Sequence, residues 1–207
     1  MNIIETTLTT QAVFSDDNTK RYLLKKTWDP ELPRLTICML APSQASGIEL
    51  DSTTSLVLNN SSKLGFGSVA IVNLFATLGD FTLAEAESKD PENLNAILDA
   101  AKSCDVVIYA PGVGKAKLQA FQERSKQVLE ALRPYEKKLK CLTSASGKAK
   151  LLHPLCPAVR NWTIAELRLD ELLSKTDPVE PKSTPKKKGR PMVVKKEATV
   201  EQAIPAL

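Results

Sequence analysis

Absences narrow the reading of this chain first. No apolar run approaches the roughly 20 residues that a membrane-crossing helix needs, so no membrane role is expected. Residues 1–10 lack the basic region and apolar core of a secretory leader, and a cytoplasmic protein is expected. Histidine is nearly missing, with His153 alone. The four cysteines, Cys38, Cys104, Cys141 and Cys156, stand far apart and form no CxxC pair. Structural zinc sites draw four close Cys or His donors, so no metal is expected, and no cofactor motif is complete. The cysteines read instead as small buried hydrophobes in a reducing compartment.

What is present fits one sizeable core in 207 residues. The net charge of +4 is unevenly spread. Residues 176–207 hold seven Lys or Arg against four acids, which leaves the body with 21 against 20. That last stretch is rich in Pro, Lys, Ser, Thr and Glu and has no aromatic residue, so it cannot bury enough surface to fold. The expected organisation is a lead-in at 1–11, one domain over 12–175 and a flexible basic tail at 176–207.

Along the body, apolar runs alternate with helical patterns. Asp16-Asp17-Asn18 reads as a hairpin turn before Arg21-Tyr22-Leu23-Leu24. Leu35-Thr36-Ile37-Cys38-Met39-Leu40 is nearly all apolar, as in a strand buried on both faces. Asp51 and Asp90-Pro91 are helix starts, and Gly65 is a helix stop. Val69-Ala70-Ile71-Val72, Val106-Val107-Ile108-Tyr109 and Leu139-Lys140-Cys141-Leu142 are further strands. A helix is expected from about 115 to 133, and a last one capped by Asn161 with Ile164, Leu167 and Leu172 inside. The expected fold is α/β, three layers around a mainly parallel sheet.

In such sheets, ligands sit beyond the carboxyl ends of the strands. The loops at 41–46, 73–75 and 110–115 directly follow such strands, and together with 153–155 they are expected to share a pocket. Its expected ligand contacts are Pro42, Ser43, Asn73, Phe75, Gly112 and Gly114, with Ser43, Asn73 and His153 as candidates for chemistry. Plainer roles stand beside these: Asn73 closing its own strand end, Phe75 and Tyr109 in the core, and His153 ordering the turn before Pro154. Pro111-Gly112-Val113-Gly114-Lys115 lacks the phosphate-loop spacing, because Tyr109 and Ala116 stand where Gly and Ser or Thr belong. A glycine turn before a helix can still bind phosphate through free N–H groups.

Several segments together carry a resemblance: RYLLKKTWD at 21–29, Met39-Leu40-Ala41-Pro42-Ser43, Asp51 with Thr53, Gly65-Phe66-Gly67, Val72-Asn73-Leu74-Phe75, Ala110-Pro111-Gly112 and His153-Pro154-Leu155. Over about 12–157 the chain resembles the bacterial family catalogued as domain of unknown function 1643. That family usually has Asn at Ala41, Asp at Ser46, Trp at Pro111 and Arg at Leu152. The loop order is more distantly similar to the uracil-DNA glycosylase superfamily. There the resemblance implies water positioning at Ala41-Pro42-Ser43, base reading by Asn73 and stabilisation of the leaving base by His153. Such enzymes flip the base out of the duplex before attacking it.

In the tail, Lys186, Lys187, Lys188, Gly189, Arg190 and Pro191 resemble an AT-hook, with Lys188 at the first Arg position. Glycine lets an extended chain lie in a narrow minor groove while the cations follow its potential. The plainer role is a basic linker held by counterion release. Two functional readings follow. One is a DNA-associated protein, tethered by Lys186, Lys187, Lys188 and Arg190, with a nucleotide or base pocket and diminished catalysis. The other is an active base- or nucleotide-processing enzyme, a glycosylase-like hydrolase.

Overall fold

The first two strands, β1 (Thr9–Phe14) and β2 (Arg21–Thr27), form a hairpin whose turn is built by one carboxylate. Asp17 Oδ1 accepts from the Ser15 hydroxyl at 2.6 Å and from the N–H and hydroxyl of Thr19 at 3.1 and 2.8 Å. Those bonds, Ser15 first, hold the exposed Asp17 carboxyl down to about 2. Asn18 takes the left-handed conformation, φ 56°, that the turn requires. The computed structural model describes residues 1–43, 47–79, 90–115, 117–147 and 150–174.

After the hairpin come β3 (Arg34–Met39), α1 (Ser52–Lys63), β4 (Ser68–Asn73), α2 (Pro91–Ser103), β5 (Val106–Tyr109) and α3 (Gln119–Ala131). β6 (Leu139–Thr143), β7 (Thr163–Glu166) and α4 (Leu169–Leu173) complete the order. The caps lie where the sequence places them. Asp51 accepts from Thr54 N–H at 2.6 Å, and Asp90 accepts from Asn93 N–H at 3.0 Å ahead of Pro91.

The seven strands of the described residues form one sheet in the order β1-β2-β4-β3-β5-β6-β7. It is mixed, which corrects the expectation of a mainly parallel sheet. The pairs β4/β3, β3/β5 and β5/β6 are parallel, while β1/β2, β2/β4 and β6/β7 are antiparallel. The hairpin side has a simple cause. Residues 28–33 between β2 and β3 are too few for a crossover, so β2 must run against β3 and hence against β4.

The far edge corrects a second expectation. Residues 163–166 form β7 rather than the start of a helix capped by Asn161. Two β-branched residues, Thr163 and Ile164, face an otherwise open β6, and Lys140 pairs with Glu166 across the two strands. Trp162 is buried, and its backbone N–H donates to Asn60 Oδ1 of α1 at 3.1 Å. Helix is left to the short α4, whose Leu169 N–H is capped by Glu136 Oε1 at 3.1 Å.

Helices cover both faces of the sheet. Leu24, Leu35, Ile37, Val69, Ile71 and Trp162 pack with Val57 of α1 on one face. Cys38, Val72, Val107 and Tyr109 pack with Ile97 of α2 and Val128 and Leu129 of α3 on the other. Each fully buried aliphatic side chain contributes about 1.5–3 kcal/mol. Gly67 shows why a glycine stands after Phe66: its Cβ would lie 1.9 Å from the Asp29 carbonyl oxygen. Gly67 O accepts from the Trp28 and Asp29 N–H groups at 2.9 and 3.0 Å, which fastens the β2–β3 connection.

Candidate functional site

The site begins with a β-bulge. Val13 pairs with Leu23 and Phe14 with Arg21, so Tyr22 is an extra residue in β2. Leu24 packs on the α1 face and Leu23 on the α2 face. Strict alternation would send Tyr22 with Leu24 and Arg21 with Leu23. The bulge exchanges them. Tyr22 Oη donates to Glu92 Oε2 of α2 at 2.7 Å, and the Arg21 guanidinium, 2% exposed, comes within the field of Asp51 at the start of α1.

Asp51 is the centre of a polar group beside the end of β3. It caps α1, takes a hydrogen bond from the Ser43 hydroxyl and faces Arg21. Burial pushes its carboxyl up, but the Ser43 and Thr54 hydrogen bonds and the Arg21 charge outweigh burial and hold it below the usual range. Burial in turn lowers Arg21 while Asp51 opposes that shift. The same carboxylate raises His153, whose half-burial nonetheless leaves it below its usual value. His153 Nδ1 accepts from the Leu155 N–H at 3.2 Å, which assigns the neutral ring proton to Nε2.

A cleft of about 370 Å³ opens where β3 and β5 end. Its walls are Leu40 and Ala41 after β3, residues 111–115 after β5, and Leu152, His153 and Cys156 after β6. Gly112 has φ 79° and lies close to His153: a Cβ there would sit 3.0 Å from His153 Cβ. The wall is largely apolar, with His153, Lys115 and loop backbone as its polar elements. Two further grooves, of about 420 and 430 Å³, lie on the β1–β2 side, away from the strand ends that carry these groups.

The expected site residues divide. His153, Gly112 and Gly114 line the cleft. Pro42 is buried beside it, and Ser43 is engaged with Asp51. Phe75, expected at the ligand, is instead 2% exposed within the α2-side core, because the chain after β4 turns toward α2. Asn73 is absent from the cleft wall. It is 1% exposed at the end of β4, and both its Oδ1 and Nδ2 lack a hydrogen-bond partner among the described residues. Ser46, the loop position expected to be Asp, and Ala116 lie outside the described residues, as do Lys186, Lys187, Lys188 and Arg190.

Sequence reasoning missed the polar groups on the opposite face. Asn93 Nδ2 donates to the carbonyls of Asn73 and Leu74 at 3.1 and 3.0 Å. Arg124, 1% exposed, donates from Nε to Leu74 O at 2.8 Å and from Nη1 to Gln127 at 2.7 Å. The signal existed: Arg124 falls on the apolar stripe Phe121-Arg124-Ser125-Val128, where a charge must have a buried partner. Among the described residues, no group of three His, Cys, Asp or Glu could hold a metal, and no helix is long and apolar enough to cross a membrane.

Comparison with known proteins gives a family and little more. The family model described as "Protein of unknown function (DUF1643)" matches residues 21–155. No curated protein matches. A crystal structure of "Putative hydrolase from Agrobacterium vitis S4" is similar at 12% identity and a TM-score of 0.33. The similarity covers 63% of this chain and 47% of that one, so the chain spans about half the length of that protein.

Proposed function

The chain belongs to that family, and we propose that it is a cytoplasmic, DNA-associated member whose cleft binds a nucleobase or nucleotide. In this reading residues 12–175 carry the cleft and the basic AT-hook-like tail at 176–207 holds duplex DNA. One observation carries the pocket: the cleft sits at the topological switch point of the sheet. β3 leads to α1 on one face, and β5, its neighbour, leads to α3 on the other, so the two connections diverge and leave a crevice. Apolar walls with a few polar groups suit a planar base better than a free phosphate.

The composition of the wall favours binding over catalysis. Ala41, Pro111 and Leu152, three positions at which the chain departs from the family pattern, all line the cleft. None of the three can move a proton or hold a charge. The second reading, a glycosylase-like hydrolase, draws on the buried amide of Asn73 and on a neutral His153 beside Asp51.

A panel of bases, nucleosides and nucleotides, followed through the ring signals of the single histidine, tests the pocket. Shifts at millimolar ligand support it, and a ring that no member moves overturns it. Release of free base from modified-base duplexes would favour the enzyme instead. For the tail, about four phosphate contacts give a log–log salt slope of roughly −3 to −4. Deleting 176–207 should remove most duplex binding, and Arg190→Ala should erase any A·T preference. Unchanged DNA binding by the deletion would reduce the tail to a linker.

A further inference from the structure

Acids are kept away from one side of the cleft. The stretches 106–122 and 140–165 supply its β5 and β6 walls. Together they hold six Lys or Arg and no Asp or Glu, in a body that carries 21 cations against 20 acids. Lys140 is paired with Glu166, Arg160 sits on the α1 side with its carbonyl held by Asn60, and Lys148 lies outside the described residues. Lys115, Lys117 and Lys150 remain, all exposed. Lys115 lines the cleft and Lys117 follows it toward α3. Lys150 bridges to Thr143 at the end of β6, two residues before Leu152 in the cleft wall. None of the three has an ion-pair partner among the described residues, whereas Lys20, Arg34, Arg133, Lys140 and Arg168 each pair with a carboxylate.

The helix that starts on this side is finished to match. α1 and α2 begin under Asp51 and Asp90, but α3 has no side-chain cap and no acid in its first turn. Its positive end adds to Lys115 and Lys117 instead of being offset. Across the cleft, Asp51 is already offset by Arg21. A cleft whose walls carry charge of one sign concentrates the opposite sign at its mouth. The apolar wall itself cannot hold a charge, so an anionic group belongs at the lysines while a base lies inside. We propose that Lys115, Lys117 and Lys150 hold a phosphate, so that the cleft takes a nucleotide rather than a free base or nucleoside. This rests on the reading of the cleft as a base pocket.

The His153 ring signals of the full chain, titrated with the four ribonucleosides and their 5′-monophosphates, test this. At least one monophosphate should bind about tenfold or more tightly than its nucleoside, and added salt should shrink that ratio. Lys117→Glu combined with Lys150→Glu should bring the ratio to within about twofold of unity. Lys63→Glu, an equal kind of charge change in the last turn of α1, should keep it. Equal affinity for nucleoside and monophosphate overturns the phosphate site and leaves the base pocket standing. An equal loss of the ratio in Lys63→Glu also overturns it, because the field of the whole body would then be the cause. A ring that no ligand moves overturns the base pocket and the phosphate site together. A short single-stranded oligonucleotide separates the sources of the phosphate: ring shifts weakened by the double substitution assign it to a strand, and their absence assigns it to a free nucleotide.

Discussion

The two faces of the sheet use polar groups in opposite ways at the same carboxyl edge. On the α2 and α3 face, Asn93 and Arg124 donate to the carbonyls of residues 73 and 74, and Tyr109 shares a 2.6 Å hydrogen bond with Ser125. The Asn93 and Arg124 bonds fasten the chain where it leaves β4, and the Tyr109–Ser125 bond ties β5 to α3. On the α1 face, Asp51 is coupled to Arg21, Ser43 and His153, Asn73 is buried with no partner for its amide among the described residues, and the cleft opens alongside. A face whose polar groups hold backbone is structural. A face that adds an open cleft and a buried amide unmatched among the described residues retains capacity for a ligand.

Substitutions on the fastening face should have the largest effect. Arg124→Ala removes a buried charged donor from Leu74 O and leaves a cavity, so unfolding free energy should fall by about 2–4 kcal/mol. Denaturant unfolding with an unchanged slope reads this directly. A loss below about 0.5 kcal/mol would end the claim that this face is a fastening.

The paired asparagines come next, because they should differ in sign. Asn93→Ala should cost about 1–2 kcal/mol, since two backbone carbonyls lose their donor. Asn73→Leu should be neutral or stabilising by up to about 1 kcal/mol, since it removes a buried amide that has no partner among the described residues. Equal losses at both positions would erase the distinction between the faces.

Asp51→Asn sharpens the ligand-capable face with an effect no larger. Asparagine caps helices as well as aspartate but removes the charge facing the buried Arg21, so stability should fall by about 1–2 kcal/mol. The carboxylate raises His153, so its loss should move the imidazole titration further below the ordinary value. With one histidine in the chain, the NMR titration is unambiguous. A titration unmoved by the substitution would remove Asp51 as the electrostatic centre.

The smallest expected effect is a pH dependence of stability. His153 binds its proton less readily folded than unfolded, because burial disfavours the cation. The unfolded chain therefore binds more protons just below the ordinary histidine range. Stability should be full above that range and decline as pH falls through it. His153→Gln should flatten this step, and a decline of the same size in the variant would assign it elsewhere.

The sequence by itself determined the local structure. Asp51, Asp90 and Pro91 start helices because their side chains or fixed φ satisfy helix ends from within a few residues. The apolar runs at 35–39, 69–72, 106–109 and 139–142 are strands because no register exposes them safely. Gly112 was legible as a cleft residue because it follows a strand end, whereas His153 was legible only through the family resemblance. Tertiary structure decided what depends on distant partners. The direction of β2 and the strand at 163–166 follow from which sheet edges remained open, and 161–173 alone reads as helix. The turn of Arg21 toward Asp51 needs a one-residue mismatch between β1 and β2, which no periodicity within β2 displays. Phe75 was assigned to the core by the turn of the chain toward α2 and α3, whose Asn93 and Arg124 hold the Leu74 carbonyl from 19 and 50 positions beyond it.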